Sequence, residues 1–89
     1  MNINAKKLIG LNVRTQSGEH LGKIYDFEVD SDRGEIIKFY VGNFLIANKI
    51  LNNNLIVDKS QVLEISAEEM VVEDNIEKIR SVKAVELKN

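Results

Sequence analysis

The stretch Gly18 to Val41, GEHLGKIYDFEVDSDRGEIIKFYV, limits the fold more than any other part of the chain. Two arms, about Leu21 to Val29 and about Glu35 to Val41, are rich in Ile, Val, Phe and Tyr, which suit a pleated surface. Asp30-Ser31-Asp32-Arg33-Gly34 joins them. Aspartate and serine hydrogen-bond to their own backbone in turns, and glycine accepts a positive φ without a steric penalty. The spacing therefore predicts strand, tight turn, strand. In the second arm Ile37, Phe39 and Val41 alternate onto one face, leaving Ile36, Lys38 and Tyr40 on the other. In the first arm Leu21 and Ile24 differ in parity, which calls for a bulge or sharp coil near Gly22.

Around this hairpin the chain offers 89 residues, enough for one domain with a modest core. Its 44% hydrophobic and 29% charged residues describe a folded chain, not a disordered one. A formal charge of -2 gives no global attraction to nucleic acid or an anionic membrane surface. With no cysteine there is no disulfide, thiolate metal site or thiol nucleophile, and a reducing, cytoplasmic setting is expected. No segment reads as a leader, and no apolar run reaches membrane-spanning length. Proline is absent, so Gly, Asn and Asp must supply the turns.

Residues 1–7 read as a flexible lead-in, residues 8–76 as the folded domain and residues 77–89 as a C-terminal extension that takes part in a dimer contact. Leu8 to Arg14 is a candidate strand, followed by a turn over Thr15 to Gly18. Phe44 to Leu51 reads as a loop plus a short strand, and Asn52 to Asn54 as a turn. Leu55 to Val57 resumes as a strand, Asp58 to Gln61 is a turn or one 3₁₀ turn, and Val62 to Ile65 is another strand. Beyond Ser66 two readings compete. Ser66 with Glu69 is a capping-box pattern for a helix over Ala67 to Ser81. Alternatively Ser66 to Glu69 is a hairpin turn, Met70 to Val72 a strand and Asp74-Asn75 a turn, with a helical turn or strand over residues 76–87. Local pattern favours the strand. Several short strands at close turn spacing point to an all-β fold, a small closed barrel or curled sheet of about six strands.

The order of these signals resembles the PRC-barrel family, which includes the cytoplasmic domain of the photosynthetic reaction-centre H subunit and the C-terminal domain of the ribosome maturation factor RimM. Gly10 and Val13 match its opening strand. Gly18-Glu19 and Leu21-Gly22-Lys23-Ile24 match the next element, and Asp26, Val29, Asp30 and Gly34 its continuation into the strand Ile36 to Val41. In the second half, Val57-Asp58-Lys59-Ser60-Gln61-Val62 stands where the family often has an Ile-Pro-Trp step, and both proline and tryptophan are missing. Ile65 and Met70-Val71-Val72 resemble the closing hairpin. The resemblance implies a small barrel that docks other proteins.

Candidate chemistry is sparse. Asp26, Glu28, Asp30, Asp32 and Glu35 form the densest acidic run. Asp30-x-Asp32-x-Gly34 begins like a calcium loop, but its twelfth position is Val41 rather than a bidentate glutamate. His20, the only histidine, has no visible nucleophile or ligand partner. Five aromatic residues suggest stacking on a single strand, yet Lys23, Arg33 and Lys38 are interleaved with Asp26, Glu28 and Asp32. No catalytic, cofactor or metal residue is therefore assigned, and no cofactor is expected. Ile36, Tyr40, Val85 and Leu87 are the candidate interface residues.

These features lead to a non-enzymatic protein-interaction or adaptor module, self-associating as a homodimer, with an unidentified protein partner. The alternatives are a small nucleic-acid or ribosome-associated binding protein and, further off, a metal-dependent enzyme.

Overall fold

The computed structural model describes residues 2–42 and 55–76. Within them run a helical turn α1 (Ala5–Leu8) and strands β1 (Asn12–Thr15), β2 (His20–Asp30), β3 (Glu35–Gly42) and β4 (Leu55–Asp58). A 3₁₀ turn (Lys59–Gln61), β5 (Val62–Ile65) and β6 (Glu69–Val72) follow. The strands form a six-stranded sheet in the order β4-β3-β2-β1-β6-β5. All pairs are antiparallel except β1 with β6.

The all-β expectation and the six strands hold, but the closed barrel does not. The sheet is open and not strongly curled, with β4 and β5 as its two terminal strands. Closure needs strands long enough to share one tilt and stagger. Four of the six have only four residues. β4 pairs with β3 and β5 with β6, and among the described residues no ladder joins the two ends. The 3₁₀ turn carries the chain between those terminal strands. The Asp58 side chain caps it at Ser60 N–H, 2.9 Å, while Gln61 Oε1 accepts from Asp58 N–H, 2.9 Å. Where a barrel seam would fall, Ile36 and Phe39 of β3 and Val62 and Ile65 of β5 line an apolar cleft of ≈ 520 Å³. The Lys59 Nζ–Glu35 Oε1 ion pair, 3.0 Å, also belongs to its wall residues.

The hairpin forms where the sequence places it. Asp30 Oδ1 accepts from Asp32 N–H at 2.9 Å, and Gly34 N–H donates to the Asp30 carbonyl at 2.7 Å. Gly34 sits at φ +69, which only glycine adopts freely. Three register shifts then decide which side chains face inward. Val13 pairs with Gly22 but Arg14 with His20, so Leu21 is an extra residue beside Gly22, as the parity mismatch predicted. Ile24 pairs with Val41 but Asp26 with Tyr40, making Tyr25 extra in β2. Glu28 pairs with Lys38 but Val29 with Ile36, making Ile37 extra in β3. Each extra residue reverses the alternation beyond it. Leu21, Ile24, Phe39 and Val41 consequently share one core with Leu8, Val13, Leu55, Val57, Met70 and Val72. Phe27 and Ile36 pack against it. The predicted outer position of Ile36 is thus corrected by the bulge at Ile37.

Two other expectations change at the N-terminus. The lead-in ends in α1, whose Asn4 side chain accepts from Lys7 N–H at 3.0 Å. The predicted strand over Leu8 to Arg14 begins only at Asn12, because Leu8 closes the helical turn and Gly10 takes φ +95. Beyond Ser66 the strand reading is correct. Ser66 N–H donates to the Glu69 carbonyl at 2.9 Å, closing a hairpin turn into β6, and no helix starts there. The readings for Phe44 to Asn54 and for residues 77–89 lie outside the described residues, as does any helical turn or strand at the C-terminus.

The parallel β1–β6 pair is buttressed by a two-point contact. Arg14 Nε donates to Glu69 Oε1 at 2.8 Å and Arg14 Nη2 to Glu69 Oε2 at 3.1 Å. The hydrogen bonds and charge of Arg14 hold the Glu69 carboxyl below its ordinary value of 4.5. A depressed carboxyl stabilises the fold above its unfolded value and loses that contribution as pH falls through the folded one. Glu69→Gln should therefore be less stable than the parent at pH 7, with the difference shrinking as pH drops below about 4.5, read from urea midpoints across pH. Ile24, 1% exposed, anchors the core beside the Tyr25 bulge. Ile24→Ala should cost about 2–5 kcal/mol in urea unfolding, whereas Val29→Ala at a 48% exposed position should change it by less than about 0.5 kcal/mol.

Candidate functional site: the outer face of the hairpin

The bulge that turns Ile24 and Phe27 toward the core also arranges the opposite face. Without it, Tyr25 would point outward and Asp26 inward. The extra residue leaves Tyr25 and Asp26 both accessible on the outside, followed by Glu28. Asp26 stands directly opposite Tyr40, which in turn stands opposite Ile56 of β4. Such cross-strand neighbours lie within reach of one another on one sheet face. The Tyr25 and Tyr40 rings are 6.2 Å apart between centroids and tilted by 44°. Tyr40 Oη donates to Glu28 Oε1 at 2.9 Å, a diagonal contact that fixes both groups. Asp26 Oδ1 accepts from Phe27 N–H at 2.8 Å.

These residues line a groove of ≈ 380 Å³: Tyr25, Asp26, Phe27, Glu28 and Tyr40. A second hollow of ≈ 340 Å³ adjoins it through Tyr25 and is lined by Ile9, Gly10, Lys23 and Ile24. It is the more apolar of the two, and Ile9 is exposed there because it follows the last residue of α1. Among the described residues the ion pairs are Arg14–Glu69 and Lys59–Glu35, so Asp26 and Glu28 have no ion-pair partner. Lys38 is in register with both Glu28 and Asp58 and is not a lining residue of the groove. Asp58 is held below its ordinary range chiefly by its hydrogen bonds to Ser60, with smaller help from Lys38 and Lys59.

Of the candidate interface residues, Tyr40 lies in this groove, and Ile36 lies away from it against the core and the apolar cleft. Val85 and Leu87 are outside the described residues. The sequence singled out Tyr40, Asp26 and Glu28 but not the pairing of Tyr25 with Tyr40. Which of Tyr25 and Asp26 share a face with Tyr40 becomes legible only once the bulge is known. His20 opens β2 in an exposed position. The calcium-like segment spends Asp30 Oδ1 on its own turn. Among the described residues, no three His, Cys, Asp or Glu side chains are grouped to hold a metal ion. No helix among them is long and apolar enough to cross a membrane.

The PRC-barrel domain model matches residues 1–84, and the chain belongs to the PRC-barrel family. Domains of this family are non-catalytic modules. No curated protein matches it. The family name describes descent here, since the strands of this chain stay open at β4 and β5.

Because Asp26 and Glu28 pair with no cation among the described residues, they contribute little to the fold. The double substitution Asp26→Asn with Glu28→Gln should leave the urea midpoint at pH 7 unchanged.

Proposed function

We propose that this protein is a non-catalytic docking module that works as a homodimer and presents the outer face of β2 and β3 to another protein. Family membership carries the reading. The tyrosine pair and its carboxylates supply a surface rich in groups that make directional contacts, and tyrosine is favoured at protein interfaces. The self-association is supported by the small size of the chain and by β5, a terminal strand of the sheet with Leu63 49% exposed. A cytoplasmic setting belongs to the same reading and draws on the absence of cysteine. A stacking surface for single-stranded nucleic acid is disfavoured, because Asp26 and Glu28 would repel phosphates where bases would lie on Tyr25 and Tyr40.

Two measurements test the proposal. Light scattering after gel filtration should give twice the 10.1 kDa chain mass, persisting on dilution into the low micromolar range; a monomer throughout would overturn the homodimer. A photocrosslinking amino acid at position 25 should capture the same protein in cells repeatedly, and one at Asp32, at the hairpin tip, should not. No position-specific product would overturn the docking role.

A further inference from the structure

We propose that the apolar cleft between β3 and β5 is the docking site for residues 77–89 of this same chain, which seat aliphatic side chains in it, Ile79 and Val82 foremost. The inference is separate from the docking role of the outer face of β2 and β3 and does not rest on it.

The cleft is where the open sheet leaves apolar side chains facing one another without backbone pairing. Ile36 and Phe39 come from β3, Val62 and Ile65 from β5, and the space between them is ≈ 520 Å³. Phe39 is a core residue, and Ile36, Val62 and Ile65 are half-buried against the same core. The cleft is thus an inlet of the core and not a separate surface patch. Its described lining carries one cation and one anion, Lys59 and Glu35, which pair at 3.0 Å and set no net charge against an apolar occupant.

The course of the chain fixes the occupant. β6 ends beside the start of β5, because Val72 pairs with Val62 and Glu73 N–H donates to the Gln61 carbonyl at 3.0 Å. Val62 is itself a wall residue of the cleft. Three residues beyond Glu73, Ile76 packs against the core that floors the cleft. Residues 77–89 therefore start near the cleft, and extended they reach at most about 45 Å, against about 13 Å for the length of β5. The connection over residues 43–54 instead leaves from Gly42 and returns at Leu55, whereas the cleft is lined from the Gly34 end of β3.

The sequence of the segment suits the site. Ile79 and Val82 continue the three-residue recurrence that begins at the anchored Ile76, and Val85 and Leu87 follow. Residues 77–89 hold four of the 12 basic side chains and two of the 14 acidic ones, so a net basic segment meets a net acidic remainder. A tethered segment also avoids the loss of translational and rotational freedom that a second copy or another protein incurs on binding.

The test uses the full chain, which has no cysteine, so Ala84→Cys gives a single attachment point for a nitroxide. In the ¹⁵N-labelled chain the nitroxide should broaden the amides of residues 34–39 and 62–65 most strongly. Adding Ile79→Ser and Val82→Ser should reduce that broadening to the level of the rest of the sheet, with the other amide positions unchanged as the check on folding. A second sample mixes ¹⁵N-labelled chains lacking the nitroxide with unlabelled spin-labelled chains in urea and refolds them together. There the cleft amides should stay sharp. Broadening of the cleft in the mixed sample would hand the site to the segment of a second copy and overturn the intramolecular assignment. Broadening that is strongest elsewhere, uniform over the sheet or indifferent to the two serines would overturn the proposal outright. None of these outcomes alters the crosslinking expected from position 25, which tests the outer face.

Discussion

The structure depends on three supernumerary residues in the hairpin strands β2 and β3, Leu21, Tyr25 and Ile37. A strand that alternated strictly from Leu21 to Val29 could not bury Leu21, Ile24 and Phe27 together, since each step between them is an odd number of residues and changes face. Each bulge absorbs one residue and resets the parity. The cost is a locally interrupted ladder, offset by the apolar surface that joins the core. Gly22 is buried within this region at φ +133, a backbone shape that other residues rarely adopt.

The openness of the sheet goes with how short the strands beyond the hairpin are among the described residues. β4, β5 and β6 are short, and each finds a partner without reaching around to the opposite end. Side chains meet where backbone pairing does not. Ile36, Phe39, Val62 and Ile65 face one cleft, with Lys59 and Glu35 paired in its wall. Arg14 and Glu69 tie two strands that lie 55 positions apart in sequence, across the parallel β1–β6 pair. The protein is thus one sheet with a core on one face and a patterned polar surface on the other.

That polar surface owes its arrangement to the same bulge that serves the core. The bulge brings Asp26 to the register position opposite Tyr40 while the Tyr25 ring stays beside the Tyr40 ring. The acidic alternation Asp26 and Glu28 was visible in the sequence as one strand face, and Tyr40 stood out as an aromatic residue on the outer parity of β3. The association of Ile36 with Tyr40 was not correct, because counting in twos from Tyr40 to Ile36 passes through Ile37, where the count fails. A bulge leaves no composition signal at that position, as isoleucine is equally at home in a regular strand.

The sequence by itself determined the central hairpin, its Asp-Ser-Asp-Arg-Gly turn, the strands Leu55 to Asp58 and Val62 to Ile65, and the family. These are local: alternation, β-branched and aromatic content, and turn residues act over a few positions, and the order of glycines along the first half is itself a pattern. Tertiary structure alone decided that Leu8 would close a helical turn rather than begin a strand, that Met70 to Val72 would run parallel to β1, and that the sheet would stay open. It also decided which of Tyr25, Asp26, Ile36 and Tyr40 share a face. Those outcomes depend on pairing register between segments distant in sequence, and register is set by the whole sheet burying one face, which no local stretch encodes.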